Sequence, residues 1–141
     1  MNPGLPVRAD AVVPLVDLVA QQADVNAEIM EELAEVFSKA AFIGGPAVAQ
    51  FEAAYAEFLG ARHCVGVANG TEALELALRA SGVEAGDEVI LPANTFIATA
   101  EAASRIGAVP VPVDVDPEYL LISPEAAAAA VTTRTRAIVP V

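Results

Sequence analysis

Apolar positions repeat with a helical period in roughly the first sixty residues, and with a mixed strand-and-helix rhythm after that. From Asp24 to Ala40 they fall at Val25, Ile29, Leu33, Val36 and Phe37, the spacing of an amphipathic helix with one buried stripe. Gly44, Gly45 and Pro46 break that pattern. A second helix is expected behind them, with Val48, Phe51, Tyr55 and Phe58 at steps of three and four and Gly60 as its stop. Short apolar strands at about 63–68, 87–91, 109–114 and 136–141 then alternate with helices at about 71–81, 95–106 and 124–131. The strand runs are rich in Val and Ile on both faces, the mark of a mostly parallel sheet covered by helices on both sides. Ser123 before Pro124 pairs a good N-cap with proline at the first helical position, and Ala126 to Ala130 is a strong helix former. Residues 1–13, rich in small residues and proline, read as a loose arm. No internal repeat and no domain boundary is legible, so the pattern predicts an α/β chain.

Composition narrows the function classes. At 55% hydrophobic, the 141 residues have ample material for a core. No apolar stretch approaches the roughly 20 residues needed to span a bilayer. The N-terminus lacks a basic-then-apolar signal pattern, so a cytoplasmic location with no membrane partner is expected. The single cysteine, Cys64, excludes an internal disulfide and fits a reducing compartment. In its predicted buried strand it reads as a small hydrophobe rather than a nucleophile. The net charge of −12 argues against nucleic acid and anionic membrane surfaces. An anionic ligand would have to be held by local N–H groups and a few arginines. Glu28, Glu31, Glu32 and Glu35 read as a solvated helix face.

The candidate chemistry concentrates in Asn69-Gly70-Thr71-Glu72, between a strand-like and a helix-like run. A strand that turns through Asn-Gly-Thr into a helix offers free N–H groups and a hydroxyl at a helix N-terminus, a geometry that binds phosphate. Asn69 with Glu72 three residues on also resembles a capping box. Taken alone, an ordinary well-capped turn explains the same residues. His63, the only histidine, has no triad-like or metal-ligand context, and no metal site is expected. Asp114 and Asp116 are followed by Pro117, which points to a turn rather than to a metal or a ribose. The absence of Gly-x-Gly-x-x-Gly leaves a classical dinucleotide fold unsupported.

A longer set of motifs carries a resemblance. In order, they are Gly45-Pro46 with Phe51-Glu52, residues 65–74 (VGVANGTEAL), 86–93 (GDEVILPA) and 95–99 (TFIAT). They continue with Gly107-Ala108-Val109-Pro110, Val113-Asp114-Val115-Asp116 and residues 133–141 (TRTRAIVPV). Pro14-Leu15-Val16-Asp17-Leu18 matches the usual opening. Together they resemble the DegT/StrS family of pyridoxal-phosphate-dependent sugar aminotransferases over nearly the whole chain.

The resemblance implies the N-terminal part of the large domain of a fold-type I pyridoxal-phosphate-dependent transferase. Residues 1–141 would hold the arm, two helices and the first part of the cofactor domain. Because family members are much longer and the chain stops inside the apolar run 136–141, it is expected to be roughly the first third of a larger enzyme. By the same resemblance, Gly70 and Thr71 would hold the phosphate of pyridoxal 5'-phosphate. Phe96 would lie against its ring, with a place in the core as the competing reading. Asn69 would shape the turn or join the phosphate site, and Gly45 and Pro46 would approach substrate at a homodimer interface. Asn94, Thr95 and Glu101 are further candidates for the pocket, with Thr95 alternatively capping the helix it opens.

The family's Schiff-base lysine and pyridine-nitrogen aspartate fall beyond position 141, and Lys39, the only lysine, does not match the former. This chain alone is therefore expected to be inactive, with no catalytic residue of its own. The intact protein would move an amino group, from glutamate, to a nucleotide-linked keto-sugar in amino-sugar biosynthesis, for an antibiotic or a surface polysaccharide. A cyclitol or an aminobenzoate precursor is an alternative substrate. The alternative activities are a sugar dehydratase of the same family and a non-catalytic chain that only dimerises.

Overall fold

The computed structural model describes residues 15–141. The arm at 1–13 and Pro14 lie outside the described residues. The chain divides after Cys64 into two compact units.

The first unit is a helix pair. Helix α1 spans Leu18–Ser38 and α2 spans Pro46–Leu59. Helix α1 starts earlier than the apolar spacing predicts, because the Asp17 side chain accepts the N–H of Ala20 at 2.9 Å and opens the helix there. Its expected buried stripe is not buried: Val25, Ile29, Leu33 and Phe37 are all exposed. Periodicity shows which face is apolar, but only a packed neighbour can cover it. Helix α2 has proline at its first position and ends at Gly60, whose φ of 65° is open to a residue without a Cβ. The Gly60 N–H donates to the Glu57 carbonyl and the Ala61 N–H to that of Ala56, a Schellman stop. Lys39 is paired with Glu35 one turn back on α1.

The second unit holds α3 (Gly70–Ala80), β1 (Glu88–Pro92), α4 (Ala98–Arg105), β2 (Val109–Val113), α5 (Pro124–Ala129) and β3 (Thr135–Ile138). The strands form a parallel sheet in the order β2-β1-β3. Strand β1 is central and buried throughout. Val89 faces a cluster built from Leu78 of α3, Ala102 and Ala103 of α4, and Ile106 just after α4. Ile90 faces Val113 and Ala127 of α5. The sheet is thus covered on both sides, as the run of Val and Ile predicts. The two crossovers run in opposite directions along the sheet, β1 to β2 through α4 and β2 back past β1 to β3 through α5. The right-handed preference for such connections then requires the two helices on opposite faces.

Strand β2 tolerates its prolines because of register. The Val109 N–H donates to Asp87 and the Val113 carbonyl accepts from Ala93, so the odd positions face β1. Pro110 and Pro112, which lack an N–H, fall on the outer edge, where the ladder loses nothing. Gly107 closes the turn after α4 at φ 79°, and a Cβ there would meet that of Ala85 at 3.0 Å.

Four further expectations need correction. Residues 63–68 form no strand among the described residues, and Val65 is 76% exposed. Alternating apolar residues make a strand only where a partner accepts the ladder. Cys64, expected in a buried strand, is half-buried outside any strand. Helix α4 begins at Ala98, not at Thr95, so Thr95 is not its cap. The strand predicted over 136–141 ends at Ile138, although the Val139 N–H still donates to Ile90 at 2.8 Å.

At the start of β1 a carboxylate is buried between strands. Glu88 is 5% exposed and accepts from the Thr132 hydroxyl at 2.5 Å and from the Arg134 guanidinium through Nε at 2.9 Å. The Thr132 hydroxyl, and then the Arg134 hydrogen bonds, hold its carboxyl below the usual glutamate value against the opposing effect of burial. These contacts fix where β3 begins, just where the register with β1 shifts.

Candidate functional site: a cleft at the strand ends

The carboxyl ends of β1 and β3 and the first turn of α3 surround an open cleft of about 470 Å³. Helix α3 supplies Gly70, Thr71 and Leu74, the loop between β1 and α4 supplies Asn94, Thr95 and Phe96, and Val141 follows β3. Ala98 and Thr99, in the first turn of α4, complete the wall. Ligands of open α/β sheets sit in this position, outside the carboxyl ends of the strands.

The turn into α3 is built by its own residues. The Asn69 side chain accepts the Glu72 N–H at 2.9 Å, and a Glu72 carboxylate oxygen accepts the Ala68 N–H at 2.8 Å. That is the expected capping box, with the return bond moved one residue upstream. Asn69 therefore shapes the turn and is not among the cleft-lining residues. The N–H groups of Gly70 and Thr71 find no acceptor among the described residues, as the first turn of a helix dictates. Gly70 has no positive φ, and a Cβ there would meet nothing within 4 Å. The fold itself makes no demand for glycine at this position.

Phe96 is 77% exposed, which excludes the core reading. It offers a bare aromatic face at the cleft. Beside it, the Thr95 and Thr99 hydroxyls lie 2.9 Å apart. Thr99, only 5% exposed, is marked in the sequence by nothing beyond its spacing of four residues from Thr95. The arrangement can hold an anion at α3 and a flat ring against Phe96.

The remaining candidates fall elsewhere. Glu101 is exposed and does not line the cleft. Gly45 and Pro46 belong to the first unit, where Gly45 is the N-cap residue of α2. Pro46 lines a small hollow of about 50 Å³ with α1 residues that include Glu32 and Val36. Asp116 accepts the N–H groups of Glu118 and Tyr119, both at 2.9 Å, which is the turn that Pro117 announces. No group of three His, Cys, Asp or Glu suited to a metal occurs among the described residues.

Known proteins share this architecture. The chain is 42% identical, over 92% of its length, to the UDP-2-acetamido-2-deoxy-3-oxo-D-glucuronate aminotransferase of Pseudomonas aeruginosa, and covers 36% of that protein. The structure of S. venezuelae DesV in complex with a ketimine intermediate superimposes with a TM-score of 0.86 at 41% identity, over 91% of this chain and 34% of that one. The structure of NtdA from Bacillus subtilis with bound cofactor PMP gives 0.87 at 35% identity, over 95% of this chain and 31% of that one. The chain thus spans about a third of the length of the proteins it matches. The family model for DegT/DnrJ/EryC1/StrS aminotransferases matches residues 23–141, and the chain belongs to that family.

Proposed function

We propose that this chain carries the phosphate-holding and ring-stacking part of a pyridoxal-phosphate site, within an aminotransferase acting on a nucleotide-linked keto-sugar with glutamate as amino donor. The observation that carries this reading is the pairing, in one cleft, of the unacceptored N–H groups of Gly70 and Thr71 with the exposed ring of Phe96. The donor set fits the group. A dianionic phosphate takes the two N–H groups, the Thr71 hydroxyl and the positive end of α3, and a flat heterocycle takes the Phe96 face.

When bound, the cofactor would supply an electron-accepting ring for amino-group transfer. The residues of this chain bind and orient it. Asn69 and Glu72 hold the α3 turn rigid, so the donors are set before the ligand arrives. Gly70 leaves the approach open, and Phe96 limits the ring to one plane. The names of the relatives support the keto-sugar as amino acceptor. A cytoplasmic homodimer, with Gly45 and Pro46 near its substrate, belongs to the same proposal.

Pyridoxamine 5'-phosphate is the suitable probe, because its amine cannot form an imine with Lys39. Titrated into the 141-residue chain, it is expected to shift the amide resonances of Gly70, Thr71 and Phe96 saturably. Thr71→Val removes one hydrogen bond to a charged group and is expected to weaken binding by about tenfold or more. No saturable shift, or equal affinity in Thr71→Val, sinks the reading.

A further inference from the structure

The hydroxyl pair in the wall of the cleft is not explained by phosphate holding or ring stacking. Thr95 and Thr99 place their Oγ1 atoms 2.9 Å apart, a hydrogen bond in which either can donate. Their surroundings decide the direction. Thr99 is 5% exposed, and the Thr95 oxygen is the only partner that the structure gives its side chain among the described residues. A buried hydroxyl proton without an acceptor is costly, so the Thr99 proton goes to Thr95. Thr95 is only half-buried and lines the cleft. With one lone pair occupied by Thr99, its own proton is left over.

We infer that Thr95 is a ligand-binding residue, donating its hydroxyl proton to an oxygen acceptor on the ring held against Phe96, and that Thr99 is the positioning residue that orients that proton. Thr95 and Phe96 are adjacent on the loop after β1, whereas the phosphate donors lie on α3, so the hydroxyl serves the ring end of the ligand. The pair also ties that loop to the first turn of α4. Thr95 is thereby held in place although it does not cap the helix. The ligand class is a phosphorylated heterocycle bearing a ring oxygen, and the inference rests on the cleft being its seat.

The test compares pyridoxamine 5'-phosphate with inorganic phosphate on the full 141-residue chain. Valine replaces threonine with little change in volume, and serine keeps the hydroxyl. Thr95→Val and Thr99→Val are each expected to weaken pyridoxamine 5'-phosphate by about threefold to tenfold while leaving inorganic phosphate unchanged. Thr95→Ser and Thr99→Ser are expected to bind both as the unaltered chain does. The double valine variant should lose little more than either single one, because the two hydroxyls act as one donor. Unchanged pyridoxamine 5'-phosphate affinity in Thr95→Val overturns the inference while leaving the phosphate reading intact. Equal weakening of both ligands assigns the pair a purely structural role and also overturns it. Failure of the unaltered chain to bind pyridoxamine 5'-phosphate removes the cleft reading and this inference together.

Discussion

Glu88 is the residue at which a local pattern and a long-range contact part company. In the sequence it stands beside Asp87 at the edge of the apolar run Val89-Ile90-Leu91, with no neighbour that names its partners. In the fold it is buried, and its partners Thr132 and Arg134 come from more than forty residues away. Its folded pKa lies below the usual 4.5, led by the Thr132 hydroxyl. A lowered carboxylate pKa adds stability in full above 4.5, and that stability is lost as pH falls through the folded value. The chain is therefore expected to lose stability progressively below pH 4.5. Glu88→Gln should be less stable at neutral pH and lose less over the acid range. Urea midpoints measured from neutral to acid pH check this, and parallel profiles for the two proteins contradict it. Asn69 shows the opposite case. Its bond to the Glu72 N–H spans three residues, so residue spacing alone is enough to reveal the cap. Phe96 lies between the two: its position after a strand is legible in the sequence, its exposure is not.

At the scale of elements, the helices whose ends are marked by local chemistry match expectation best. Ser123 accepts the Ala126 N–H at 3.1 Å and opens α5, and Gly60 closes α2. The strands are harder, because their existence depends on pairing. The run at 88–92 sits between two neighbours, whereas the run at 63–68, apolar by pattern too, forms no strand among the described residues. Helix α3 is held to the sheet and α4 by its inward stripe, and Glu75 adds an ion pair to Arg105 of α4 at 2.9 Å. Leu78 is 6% exposed in that stripe, while Leu76 on the same helix is 45% exposed. Leu78→Ala is expected to destabilise by about 2–5 kcal/mol, and Leu76→Ala by less than about 1 kcal/mol. Chemical denaturation of both variants measures the contrast, and similar losses would mean that α3 does not pack as described.

For the whole molecule, charge is the dominant collective property. A net charge of −12 on 141 residues makes the compact state repel itself. Salt shortens the screening length to about 10 Å at 0.1 M, so the thermal midpoint is expected to rise between low and moderate salt. A scanning calorimetry series in sodium chloride checks the direction, and a falling midpoint would show that ion pairs such as Glu88–Arg134 outweigh the repulsion. Against the same excess of acid, an anionic ligand would depend on local donors such as the N–H groups at the start of α3. No helix among the described residues is long and apolar enough to cross a membrane. The alternation of helices and strands after residue 69, the caps at Asn69 and Ser123, the stop at Gly60 and the family motifs can be read along the chain, because each rests on residues within a few positions of one another. Which apolar faces are covered, the partners of Glu88, the Thr95–Thr99 pair and the meeting of Gly70 with Phe96 at one cleft emerge only from the fold. Each of these joins residues through packing that local spacing does not encode.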